Sequence, residues 1–159
     1  MTSTALFYFI IAIIIVNFIK DKILNALNAK HFNDDLPIDL KDVYDEKDYK
    51  KSQDYKKTNY KFGIITSSFS IILTIGFLLL DGFEFVDNLA RSLSSNPIII
   101  ALIFFGIIMI ASDILTTPFS YYSTFVIEER FGFNKTTVKT FIFDKIKGWL
   151  MMVIVGGGI

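Results

Sequence analysis

Glu128, Glu129 and Arg130 stand side by side near the end of an apolar stretch, and "FGFN", residues 131–134, follows at once. A plain loop between two membrane helices has no need of two adjacent carboxylates beside a guanidinium, so the cluster exceeds a scaffold role. The same three residues also suit a solvated helix end, and the sequence leaves both readings open. Asp113 is the second candidate. It is the one charge in an otherwise uncharged run from Pro97 to Phe125. An ionisable group inside an apolar span is costly and is often functional. It is equally well read as a polar helix end satisfied by Ser112, Thr116 and Thr117.

Other chemistry is missing from the sequence. His31 is the only histidine, so a zinc-protease helix with two histidines one turn apart cannot form from these residues. There is no Gly-x-Ser-x-Gly elbow, no P-loop and no dinucleotide fingerprint. With no cysteine, neither a disulfide framework nor thiol chemistry is available. Sixteen basic and sixteen acidic residues give zero net charge, which argues against a nucleic-acid partner.

The elements that must position these groups are helices in a bilayer. The 159 residues are 52% hydrophobic, too apolar for an ordinary soluble domain, and the apolar residues are clustered. A span needs roughly 20 apolar residues. Runs at about 4–19, 62–80 and 97–117 meet that length, the first barely. A fourth begins at 148 and is about twelve residues long, so it reads as a truncated span. The expected fold class is all-α: a polytopic membrane helical bundle with three full spans, a truncated fourth and amphipathic interfacial helices, in one domain over 1–159. The N-terminal run has no basic flank before it and no small-residue cleavage site after it, so it reads as a retained span.

Lysine and arginine number ten between Lys20 and Lys61, one (Arg91) between Asp81 and Asn96, and five between Thr116 and Lys147. The positive-inside rule then places segments 20–61 and 118–147 in the cytoplasm and the N-terminus outside or in a lumen.

Within the first cytoplasmic segment, "LPIDLKDVY" reads as extended. From Asp45, an expected N-cap, the chain reads either as one helix entering the second span or as a solvated charge run. Phe83, Val86, Leu89, Ala90 and Leu93 recur at helical spacing, which predicts a short helix on the membrane surface. Asn96 and Pro97 suit the cap and first turn of the third span. Pro118 is expected to end or kink that span near Thr117. A helix over Tyr121–Arg130 should close at Gly132, and Asn134 or Thr136 should cap an interfacial helix carrying Val138, Phe141, Ile142, Ile146 and Trp149.

Two stretches are similar to a known family. "PFSYYSTFVIEERFGFNKTT" followed by "FIFDKIKGW" resembles the CAAX prenyl protease 1 family of integral-membrane zinc metalloproteases. The matching positions are Pro118, Phe119, Tyr121 or Tyr122, Thr124 to Glu129, Phe131 to Lys135, Thr137, Asp144 and Lys147. "YDEKDYKKSQDYKKTNYKFG" is similar to the family's Tyr-x-Lys-Ser-x-x-Tyr and a later Lys-Phe. The resemblance implies a seven-span protease around a water-filled chamber. It implies zinc as cofactor, held by a His-Glu-x-x-His helix and a later glutamate, and prenylated Cys-a-a-X proteins or other peptides as substrates.

This sequence lacks that motif, so the resemblance makes it the N-terminal membrane half. It is expected to be inactive and without zinc by itself, with the bilayer and the protease half as partners. Asp113, Glu128, Glu129, Arg130 and Asn134 are then candidates for the chamber mouth or the interface with that half, and Pro118 and Gly132 shape the turn. The competing reading is a non-enzymatic multi-span scaffold or transporter-like fragment.

Overall fold

The computed structural model describes residues 2–32, 34–36 and 45–157. Six helices follow one another: α1 (Ser3–Ala29), α2 (Glu46–Leu79), α3 (Gly82–Leu93), α4 (Pro97–Tyr122), α5 (Glu129–Phe131) and α6 (Val138–Gly157). A π-helical segment, Ser123–Glu128, joins α4 to α5. No strand occurs among the described residues. Among the described residues three helices are long and apolar enough to cross a bilayer: Ser3–Ala29, Glu46–Leu79 and Pro97–Phe131. Their apolar side chains face outward, as with Val16, Ile72 and Ile98. In hydrocarbon that exposure carries no penalty, because the solvent is as apolar as the side chain.

The chain gathers into two units, residues 1–76 and 77–159. In the first, α1 does not stop at Ile19. It continues through Lys20, Asp21 and Lys22 to Ala29. Helical backbone hydrogen bonding does not depend on side-chain polarity, so the charged residues continue the apolar run in one helix. The α2 helix begins where Asp45 caps it: Oδ1 accepts from Lys47 N at 2.8 Å and Asp48 N at 3.3 Å. It then runs without a break into apolar sequence. The residues read as extended, 36–44, lie outside the described residues except Leu36, which is buried.

In the second unit, Asp81 takes a left-handed backbone (φ 52°) and turns the chain from α2 into α3. Gly82, Val86 and Ala90 of α3 are buried on the face packed against α4. Phe83 stacks near Phe104 of α4, with ring centroids 6.3 Å apart. Phe85 and Leu93 stay exposed, as suits a helix half-sunk in an interface. Asn96 Oδ1 caps α4 through Ile98 N at 2.9 Å, with Pro97 in the first turn.

Pro118 does not end the third span. Helix continues through it to Tyr122 and, as π-helix and α5, to Phe131. The hydroxyls before it turn inward: Thr116 and Thr117 donate to the carbonyls of Ser112 (2.9 Å) and Asp113 (2.6 Å). Such back-bonding bends a helix rather than ending it. The separate Tyr121–Arg130 helix is therefore the tail of the span. The cap of α6 is also displaced. Thr137, not Asn134 or Thr136, supplies it: Oγ1 accepts from Thr140 N at 3.2 Å and its carbonyl from Phe141 N at 2.9 Å. The expected interfacial helix and fourth apolar run form one helix, Val138–Gly157.

Candidate functional site: a carboxylate cluster and a fixed turn

Asp113 lies on α4 beside the exposed Ile114 and Leu115. Its two oxygens are both engaged, from α6. Lys145 Nζ donates to Oδ1 at 2.6 Å and Trp149 Nε1 donates to Oδ2 at 2.9 Å. The side chains of Asp113 and Lys145 are 34% and 20% exposed, dry enough for a charge-assisted bond to matter. Lys145 and Trp149 are four residues apart and share one face of α6, so one carboxylate reaches both. The neighbours expected to satisfy Asp113 do not: Thr116 and Thr117 spend their hydroxyls on backbone carbonyls. The cluster is braced by aromatics. Tyr121, Phe125 and Phe141 meet at centroid distances of 4.7, 6.1 and 5.6 Å. Lys145 sits 5.6 Å over the Phe141 ring.

The turn after α5 is held by its own backbone. Gly132 adopts φ 73°, ψ 22°, a left-handed conformation that costs glycine nothing. The Glu128 carbonyl accepts from Phe133 N at 2.8 Å and Asn134 N at 3.3 Å, and the Glu129 carbonyl accepts from Gly132 N at 3.0 Å. A π-helical segment leaves carbonyls open for such closing bonds. Asn134 then locks the exit. Its Nδ2 donates to Glu129 Oε2 at 2.9 Å, and its Oδ1 accepts from Thr136 N at 2.7 Å. Ile127 and Phe131 are buried beneath. Glu129 and Arg130 are exposed, with the guanidinium 5.6 Å over the Phe131 ring. Glu128, Glu129, Arg130 and Asn134 thus sit on one turn. Asp113 belongs to a separate cluster with Lys145 and Trp149.

Glu129 is not free: its Oε2 accepts from Asn134 Nδ2. Nor do the residues fit the implied zinc. Among the described residues no group of three or more histidine, cysteine or acidic side chains is placed to hold a metal. His31 is exposed, with Nδ1 2.8 Å from Asp34 Oδ2. No zinc-dependent step is therefore assigned to these residues. The sequence places Trp149 on the apolar face of α6 and Lys145 among its wet lysines; the structure instead brings both to Asp113. Their spacing was the signal that both could meet one carboxylate.

Known proteins with the same pattern share a family. The description "CAAX prenyl protease N-terminal, five membrane helices" matches residues 25–159. The CAAX prenyl protease 1 homolog of Dictyostelium discoideum is 33% identical over 143 residues, covering 87% of this chain and 32% of that protein. CAAX prenyl protease 1 of Saccharomyces cerevisiae is 33% identical over 134 residues, covering 78% of this chain and 30% of that protein. The chain thus spans about a third of the length of these relatives. The crystal structure of S. mikatae Ste24p superposes with a TM-score of 0.88 at 31% identity, over 96% of this chain and 37% of that one. Matched over 135 of its residues and in the path of its helices, the chain belongs to the CAAX prenyl protease family, as part of its N-terminal membrane portion.

Proposed function

We propose that the full-length protein is a membrane zinc endopeptidase that removes the C-terminal tripeptide from prenylated Cys-a-a-X proteins. In it, this chain shapes the chamber and its cytoplasmic mouth, while zinc and its ligands come from the protease half. The observation that carries this reading is the turn at 128–134. It presents Glu129 and Arg130 on a backbone fixed by hydrogen bonds from Gly132, Phe133 and Asn134, a preorganised surface on which that half docks. The naming of the similar proteins supports the substrate class. The lysine and arginine distribution favours an N-terminus outside or in a lumen, with 20–61 and 118–147 cytoplasmic. The partners are the bilayer, the protease half and peptide substrates; nucleic acid is not among them.

The test is release of the C-terminal tripeptide from a farnesylated peptide by the full-length protein in detergent. Release is expected, and it should fall when Glu129→Lys and Arg130→Glu reverse the charges of the turn. A folded full-length protein that releases nothing overturns the reading. A polypeptide of these 159 residues alone, with one histidine, should bind no zinc and cleave nothing. Metal analysis finding one tightly bound zinc per chain contradicts that assignment.

A further inference from the structure

Between α1 and α2 lies a cleft of about 1030 Å³ that neither the Asp113 cluster nor the turn uses. Lys22, Asn25 and Asn28 line it from α1, and Gln53, Asn59 and Ser67 from α2. Residues three apart on a helix share a face, so the three α1 residues form one polar row, with Phe18, Tyr49 and Tyr60 supplying apolar surface beside it. Lys22 closes the inner end. Its Nζ donates to Ser67 Oγ and to the Gly63 carbonyl at 3.5 Å, and it lies 5.1 Å over the Phe18 ring. These partners are neutral, so the half-buried ammonium keeps its attraction for an anion.

Further out, Gln53 Nε2 donates to the Tyr49 hydroxyl at 2.7 Å. Its Oε1 is buried and has no hydrogen-bond partner among the described residues. A buried acceptor in that state calls for a donor.

We infer that this cleft binds an extended peptide by its free C-terminus, the carboxylate at Lys22 and a backbone N–H at Gln53 Oε1. The inference rests on the proposed action on peptide C-termini and gives that substrate a place on this chain. Ser67 and Gln53 are separated by roughly 21 Å along α2 at 1.5 Å per residue. About six extended residues cover that length. The direction follows from charge. At the inner end Asp21 pairs with Lys20 at 3.5 Å, which leaves Lys22 to attract a carboxylate, whereas further out Asp34 and Asp35 stand with His31 and Lys56. A lipid phosphate at Lys22 offers acceptors only and leaves Gln53 Oε1 unpaired. A peptide supplies both a carboxylate and N–H groups, and its amides match the asparagines.

The test uses the full-length protein in detergent and a fluorescent hexapeptide, as free acid and as C-terminal amide. The acid should bind about tenfold more tightly than the amide. Lys22→Gln should erase the preference, and Lys22→Arg should restore it. An unchanged preference in Lys22→Gln overturns the inference. If that variant fails to fold, the wild type still decides: a benzophenone at the peptide C-terminus should attach to the α1 or α2 walls, and attachment only elsewhere overturns it. Equal binding of acid and amide, together with Lys22-dependent binding of short-chain phosphatidylglycerol, assigns the cleft to a lipid headgroup instead. Tripeptide release measured alongside separates the two readings. Release with an acid preference that ignores Lys22 sinks this inference alone. Lys22-dependent binding without release sinks the proposed activity alone.

Discussion

Asp113 and Trp149, 36 residues apart in sequence, are joined by a 2.9 Å hydrogen bond from the indole Nε1 to Oδ2. With Lys145 on the other oxygen, the bond makes Asp113 a fastening between α4 and α6. Removing a partly buried ion-pair partner leaves the other charge unpaired, which costs more than the pair itself contributes. Asp113→Ala should therefore lower the stability of the full-length protein by about 2 kcal/mol, read as thermal unfolding in detergent. Adding Lys145→Met to Asp113→Ala should recover part of the loss. A double variant no better than the single one would show that the pair is not what Asp113 contributes.

Gly132 makes a second prediction. At φ 73° a β-branched side chain meets its own backbone, at a cost on the order of 1 kcal/mol or more. Gly132→Val should open the turn, displace the stacked pair Phe131 and Phe133, and reduce stability or activity. Ser123→Ala, upstream in the π-helical segment, should do much less. Equal effects of the two would remove the turn from the account.

Gly82 is constrained for a different reason. A Cβ there would collide with the Phe77 ring, which is itself packed edge-on against Phe83 at 4.8 Å. Gly82→Ala should destabilise the α2–α3 corner by about 1–3 kcal/mol, the usual range for overpacking. Pairing it with Phe77→Leu should relieve part of the strain. If Gly82→Ala unfolds at the wild-type temperature, the ring is free to swing away and the corner is looser than its geometry implies.

The proposed orientation is checked by chemistry from two sides. Cysteines introduced at Ser52, on the charged half of α2, and at Ser94, after α3, should react with a membrane-impermeant maleimide from opposite faces of the bilayer. Labelling of both from the same face refutes the charge-based map.

Local hydrogen bonding made part of the fold legible in the sequence. Asp45 and the Asn96–Pro97 pair announce helix starts because a cap involves neighbours within three residues. What depended on distant partners was not legible. Pro118 reads as a stop or a kink, and the helix runs on through it to Phe131. Thr137 displaced Asn134 and Thr136 as the cap because Asn134 is drawn to Glu129 across the turn. Asp113 stood out as a costly charge, but its partners on α6 are visible only once α4 and α6 are side by side. The α1–α2 cleft left a faint trace: polar residues every three positions on α1 (Lys22, Asn25, Asn28) and more widely spaced ones on α2 (Gln53, Asn59, Ser67), with nothing local to say that they face each other.

The unbroken course of α2 has a mechanical consequence. Its 34 residues make a rod of roughly 51 Å at 1.5 Å per residue, against about 30 Å of hydrocarbon. Some 20 Å of stiff helix therefore stands in water, with no hinge glycine or proline between Glu46 and Phe62. A tilt of about 10° where it leaves the bilayer carries its tip some 3–4 Å sideways, because a continuous helix of that rise does not flex to absorb it. Any tilt of the span would therefore be felt most at Tyr49 and Gln53 near its tip, which makes the helix a lever as much as a wall.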